Sequence, residues 1–453
     1  MHRGCVASVR GELKKSAGAL LIFLLIALIQ AGYYIHKIGP LTIPDVSMHA
    51  LGAYSLSTGQ SFNPVETVKD EYGNNHKVMS LTGDSRFLLL EGGYSDLVST
   101  IIGITYPVDA NKESQIQGAN KKQETIRISG EIESGAINSN RSNQYFPLAW
   151  LPQAVGVKVG LLLNLNPYFV WQLGRMTAFL VFLICWSYSI ITIPKMKYLL
   201  VLIGVMPTTL FMASSLMCDA FLISLCALSV SITCRIICDD REVSNGCTAG
   251  LALLAGCVVL IKATYVPICL GFLILPRKVL NTRKKTLACV ILLVSLAIYL
   301  FWSRCYGNVA TMASLDLNQS IMLHNPINVL ARLIYQIVNL PGYFGILNQM
   351  YLASALLLII CLLQYLQVNR LLPLSGNWRE DFSSYRYVIG LVLAAFGSLM
   401  LILFFLLFTW NNLAGQSWLS PIEGFQGRYI LPILPVLCYI QTVFVQKPVD
   451  VEA

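Results

Sequence analysis

Ala17-Gly18-Ala19-Leu20-Leu21-Ile22-Phe23-Leu24-Leu25-Ile26-Ala27-Leu28-Ile29-Gln30-Ala31-Gly32-Tyr33-Tyr34-Ile35 is an apolar run interrupted only by Gln30. As an α-helix it extends about 28 Å, enough to cross the hydrocarbon core of a bilayer. Arg3, Arg10, Lys14 and Lys15 precede it. A cleavable leader also begins with basic residues, but this run is long and no small-x-small cleavage site follows. The segment therefore reads as an uncleaved anchor with its N-terminus in the cytoplasm.

The rest of the chain supports that reading. Its 453 residues are 55% hydrophobic and only 12% charged, with a mean hydropathy of +0.63, which describes a multi-pass membrane protein. The net charge of +9 would suggest nucleic acid in a soluble protein, but it divides by region. Residues 36–144 are acidic on balance, and the basic excess flanks apolar segments, as cytoplasmic loops require. Nucleic acid is excluded as a partner, and the lipid bilayer is the expected surrounding. Most of the 13 cysteines lie within apolar runs and read as small hydrophobes, without a zinc spacing. Only Cys218 and Cys305 stand where a disulfide is conceivable.

Topology follows from charge. Residues 1–35 form the cytoplasmic N-terminus and first span. Residues 36–166 form a large extracytoplasmic loop with β-favouring pieces such as Thr125-Ile126-Arg127-Ile128. Residues 145–163, at the end of that loop, are expected as an amphipathic helix on the membrane surface. Residues 167–302 hold the central spans, 303–349 a second extracytoplasmic segment, and 350–453 the last spans and a cytoplasmic tail. Residues 249–275 read as a hairpin with Lys262 and Tyr265 near its outer turn, because one long helix would put five cations at 277–285 outside. With spans expected also at 198–213, 220–237, 286–302, 351–366, 388–409 and 429–444, the fold is an all-α bundle of about ten transmembrane helices.

Two outer stretches carry the chemistry. In Pro44-Asp45-Val46-Ser47-Met48-His49 an acid and a histidine four residues apart share a face if the segment is helical, and such a pair can share a proton or a metal. In Gln426-Gly427-Arg428-Tyr429 an arginine with a fixed fork of donors stands beside a glycine, a combination suited to phosphate. An arginine and tyrosine at a span's mouth also serve as an interfacial anchor. Asp219 starts a span on the same side, as a ligand for metal or acceptor or as a helix cap. Arg175 lies within a span, where arginines more often hold structure than ligand.

The order of Pro44-Asp45 with His49, Tyr145-Phe146-Pro147, Leu173-Gly174-Arg175, Ala213-Ser214-Ser215 with Asp219, Lys262 and Gln426-Gly427-Arg428-Tyr429-Ile430-Leu431-Pro432 resembles the bacterial domain-of-unknown-function family 2142 over nearly the whole chain. That family in turn resembles the glycosyltransferase-C (GT-C) superfold. The resemblance implies a bacterial plasma-membrane enzyme with both termini cytoplasmic. It would move a sugar from a polyprenyl-phosphate carrier to a cell-envelope glycan or lipid acceptor on the outer face. Asp45 falls on the superfold's usual catalytic base or metal contact, and Lys262 is similar to its phosphate-handling lysine. The chemistry of the residues themselves adds His49 to orient Asp45, Arg428 and Arg175 with Lys262 as phosphate ligands, and Asp219, Tyr265 and Tyr429 as substrate contacts. Where the family usually has Asp-Glu after the proline, this chain has Asp45-Val46. A divalent metal, Mg or Mn, on Asp45 and Asp219 is left open. A lipid or glycan transporter, or an inactive scaffold of the same fold, are the alternatives; a transporter would place ionisable residues at mid-depth of several spans.

Overall fold

With no proline before position 40, the first segment forms one helix, α1 (His2–Lys37), and it ends just ahead of Gly39-Pro40, where the next backbone donor is missing. The computed structural model describes residues 2–41, 45–84, 87, 134–137, 142–309, 311–339 and 378–444. The elements that position the site are α2 (Val46–Ser57), β1 (Val65–Lys69), β2 (Asn75–Met79), β3 (Leu81–Asp84), β4 (Ser134–Ile137), α3 (Leu151–Leu162), α4 (Pro167–Thr192), α5 (Lys197–Val205) and α6 (Pro207–Ala213). They are followed by α7 (Asp219–Asp239), α8 (Asn245–Lys262), α9 (Val266–Cys269), α10 (Thr282–Cys305), α11 (Leu315–His324), α12 (Pro326–Val338) and α13 (Trp378–Trp410).

Among the described residues, six segments are long and apolar enough to cross a membrane: Gly11–Lys37, Pro167–Thr192, Asp219–Asp239, Asn245–Ile274, Thr282–Cys305 and Val392–Trp410. The chain is an all-α integral membrane protein, with strand confined to two small antiparallel pairs, β1–β2 and β3–β4. The expected span at 351–366 and the piece Thr125-Ile126-Arg127-Ile128 lie outside the described residues.

Two expected crossings, at 198–213 and 429–444, are not single α-helices, and the residues expected as a hairpin at 249–275 do turn back. The one at 198–213 breaks into α5 and α6 at Met206, whose extended ψ of 137° is the conformation a following proline enforces. Residues 245–274 do not run straight through. After Lys262 the chain turns through a 3-10 segment, Ala263–Tyr265, and comes back. The Val243 N–H then donates to the Val279 carbonyl at 2.9 Å, so the two legs start and finish at the same level. The last segment, Leu434–Phe444, is 3-10 helix.

The bundle has two unlike ends. At one, Arg235 bridges Glu12 and Asp239, each at 3.2 Å, Lys284 pairs with Glu242 at 2.7 Å, and Lys278 pairs with Asp240. At the other lie Asp45, Arg175, Asp219, Lys262 and Arg428, beneath the connecting segments. There α3, at 12 residues or about 18 Å, is too short to cross. It lies antiparallel on α4, with Leu151, Val155, Val159 and Leu162 exposed. The contact is backbone-close: a Cβ on Gly156 would stand 2.2 Å from the Leu173 carbonyl oxygen. Cys218 and Cys305 are both free.

This packing predicts that Gly156→Ala destabilises the detergent-solubilised protein by about 1–3 kcal/mol, because backbone must shift to admit the methyl. Gly250→Ala, with nothing within 4 Å of the new methyl, is neutral or slightly stabilising. Thermal unfolding of the two variants beside wild type checks the contrast.

Candidate functional site

Asp45 is the N-cap of α2, yet its side chain does not cap. Its backbone is left-handed, with φ 54° and ψ 34°, and its carbonyl rather than its carboxylate receives the Met48 and His49 N–H groups, at 3.0 and 3.2 Å. An Asp tolerates this region better than most residues. The carboxylate turns away from the helix, and its Oδ2 accepts from Arg428 Nη2 at 2.9 Å. This left-handed turn also explains why Asp45 and His49 share no hydrogen bond, although a continuous helix would have put them on one face.

Arg428 sits on a 3-10 turn, Gly427–Ile430. The segment leading to it passes Gly424, whose φ of 78° and close approach to the Trp410 ring, 3.0 Å from an added Cβ, both call for glycine. The guanidinium is buried. Its Nη1 lies 3.9 Å from Asp219 Oδ2 and donates to Met217 Sδ at 3.3 Å. Asp219 opens α7, and its Oδ1 accepts from Lys262 Nζ, the last residue of α8, at 2.9 Å. Each charge therefore stands at the helix end whose dipole favours it. Lys262 Nζ also lies 5.2 Å from the Tyr145 ring centroid and 5.4 Å from that of Tyr429, within cation–π range. Tyr265 donates its hydroxyl to the Tyr429 carbonyl at 2.8 Å.

The result is an alternating chain of charges, Asp45, Arg428, Asp219, Lys262, drawn from four separate segments. Asp219 and Arg428 are buried and Lys262 is mostly enclosed; Asp45 is the open one, with 41% of its side chain exposed. Enclosure pushes the Asp45 carboxyl up, but the Arg428 guanidinium and, to a lesser degree, His49 together hold the group below the ordinary aspartate range. Two atoms inside the cluster, Asp219 Oδ2 and Arg428 Nε, are buried without a hydrogen-bond partner.

His49 is packed beside this chain. Trp150 donates its indole N–H to His49 Nδ1 at 3.4 Å, and the imidazole stacks on Tyr145 at 19°. Burial lowers its pKa to about 4, against the opposing pull of Asp219 and Asp45, so the ring is neutral at pH 7. Arg175 stands apart from the cluster. It donates to Ser214 O and Ile38 O, both at 2.6 Å, to Tyr34 O at 3.2 Å and to Gln172 Oε1, fastening the end of α1 to α4 and to the turn after α6. Trp150 and Met217 join the site without any mark in the sequence, since an aromatic or methionine at a helix entrance is ordinary; Tyr145 stands out only as part of the family resemblance, with no role attached. A divalent ion does not fit this arrangement, because Asp45 and Asp219 are already bridged by the Arg428 guanidinium. Among the described residues no three His, Cys, Asp or Glu side chains converge.

Residues 33–437 match the family described as "Predicted membrane protein (DUF2142)". The chain belongs to this family. No curated protein and no solved structure matches it. In this member of family 2142, the match begins at the end of α1 and takes in Asp45, Asp219, Lys262 and Arg428.

Two outcomes follow. Lys262→Met, which leaves the buried Asp219 without its closest cation, costs about 3–5 kcal/mol, whereas Lys262→Met combined with Asp219→Leu costs less than the single change; unfolding in detergent measures the difference. His49 has a folded-state pKa below its unfolded one, so the unfolded state binds the extra proton and stability falls as pH drops from about 6.5 toward 4. His49→Phe removes that part of the slope in a pH series of melting curves.

Proposed function

We propose that this protein is a membrane glycosyltransferase that moves a sugar from a polyprenyl-phosphate carrier to a cell-envelope glycan or lipid acceptor on the outer face of the bacterial plasma membrane. The observation that carries this reading is the convergence of Asp45, Arg428, Asp219 and Lys262 at one end of the bundle. Transfer from a phosphate-linked sugar needs a base for the acceptor hydroxyl and cations for the departing phosphate. Asp45 takes the hydroxyl proton as the acceptor oxygen bonds to the anomeric carbon. The bond from that carbon to the phosphate oxygen breaks, and Arg428 and Lys262 hold the released polyprenyl phosphate. Tyr145 and Tyr429 fix Lys262, and Asp219 keeps both cations charged.

Orientation follows from the opposite end of the bundle, where Lys14, Lys15, Lys195, Lys197, Arg235, Arg277, Arg283, Lys284 and Lys285 cluster. By the positive-inside rule this clustering supports that end as cytoplasmic and the Asp45 end as external. Among the described residues, charged side chains gather at the two ends and do not track through the middle of the spans. That distribution favours a surface reaction over a transport path.

The test is genetic and chemical. In a strain lacking the protein, wild type restores the carrier-dependent surface glycan and lowers the accumulated carrier-linked sugar. Asp45→Asn, present in the membrane at normal level, restores neither, with transfer reduced at least about 100-fold, as expected for loss of a general base. Normal glycan with Asp45→Asn sinks the enzyme reading.

A further inference from the structure

We propose that the Asp45–Arg428 ion pair is a latch opened by the phosphate group of the ligand: the arriving anion takes the Arg428 guanidinium and releases the Asp45 carboxylate. The inference rests on the phosphate-binding reading of this site and adds an order of events to it. Four observations support it.

First, Asp45 gives up its own helix. An aspartate N-cap ordinarily accepts from the second or third backbone N–H of the helix and contributes about 1 kcal/mol. Asp45 makes no such bond and holds a left-handed backbone to reach Arg428 instead. Second, the charges differ in access. Asp219, Lys262 and Arg428 have side chains 3%, 13% and 4% exposed, against 41% for Asp45, so an anion coming from outside meets the cluster at Asp45. Third, Arg428 does not depend on Asp45 to stay in place. Its Nη1 is held at Met217 Sδ and near Asp219 Oδ2, which leaves Nη2 as the donor that can change partner. Fourth, a carboxylate and a phosphate compete for one guanidinium edge, since like charges at contact repel. Arg pairs with phosphate through the same fork of donors.

The exchange couples binding to chemistry. While latched, Asp45 is neutralised by Arg428 and is a weak base. Once phosphate occupies Nη2, the carboxylate loses its cation and gains proton affinity, at the moment a donor is in the site. Without donor, the base stays held.

The experiment is equilibrium binding of decaprenyl phosphate and, separately, of inorganic phosphate to the full chain in detergent. Asp45→Asn removes the competing charge and tightens binding about tenfold, the scale of one charge-assisted hydrogen bond; Asp45→Gly, which suits the left-handed backbone, gives the same sign. A gain for the lipid alone identifies the carrier headgroup as occupant, and a gain for both probes identifies phosphate in either form; each supports the latch. Unchanged or weaker binding of both probes by the two Asp45 variants overturns it. Arg428→Ala separates this from the parent reading. Binding equal to wild type removes Arg428 from phosphate recognition and with it the latch, whereas weakened binding without any gain in the Asp45 variants defeats the latch alone.

Discussion

A carboxylate and an ammonium taken out of water each lose several kcal/mol of hydration, and only close pairing with further polar partners restores the balance. Asp219 and Lys262 meet that condition at 2.9 Å, and their surroundings follow from it. The chain must turn at Lys262 so that the ammonium reaches the end of the bundle and avoids its middle, hence the return leg from Ala263 back to the level of Val243. Two tyrosine rings close over Lys262 because their faces tolerate a cation that is largely withdrawn from water. Arg428 then supplies the second positive charge beside Asp219.

Holding Arg428 there is the work of segments far from it in sequence. The buried Arg332 of α12 donates through Nη2 to Asn411 Oδ1 and Gln416 Oε1 at 2.9 Å and to the Pro421 carbonyl at 3.0 Å. Gln336 accepts from the Ile422 N–H at 2.8 Å, and Asn318 donates to the Phe408 and Asn411 carbonyls. A helix whose outward residues, Ile327, Leu330, Ile334 and Val338, are apolar thus turns its polar residues inward, the reverse of a soluble amphipathic helix. The residues ahead of α11 reach the long loop that follows α1. Asp70 Oδ2 accepts from Thr311 at 2.9 Å and pairs with His76 at 2.7 Å, while Asn74 donates to the Ala313 carbonyl. The two connecting segments are therefore fastened to each other.

Features governed by local chemistry were legible in the sequence. Apolar run length set the spans, lysine and arginine placement set the hairpin at Lys262, and Asp219, Lys262 and Arg428 could be selected as ionisable residues at span ends. Features set by tertiary contact were not. One crossing was expected at 198–213, whereas the structure breaks it at Pro207 into two short helices. The spacing of Asp45 and His49 suggested a shared helical face, whereas one left-handed residue sends the acid to Arg428 and leaves the histidine to Trp150. Arg175 had the chemistry of a phosphate ligand; its donors instead serve the carbonyls of Tyr34, Ile38 and Ser214, which no local pattern reveals.

The site holds two carboxylates, Asp45 and Asp219, against two cations, Lys262 and Arg428, and is neutral as it stands. Where the family resemblance leads one to expect a second acid after Asp45, the sequence has Val46. An incoming phosphate then adds negative charge to a site that has no spare cation, and it is admitted most readily if a carboxylate steps aside. Of the two, Asp219 is buried and tied to Lys262, while Asp45 is open to solvent and fixed to Arg428 by a single contact. On the proposed reading, the acid that yields is the one assigned the acceptor's proton.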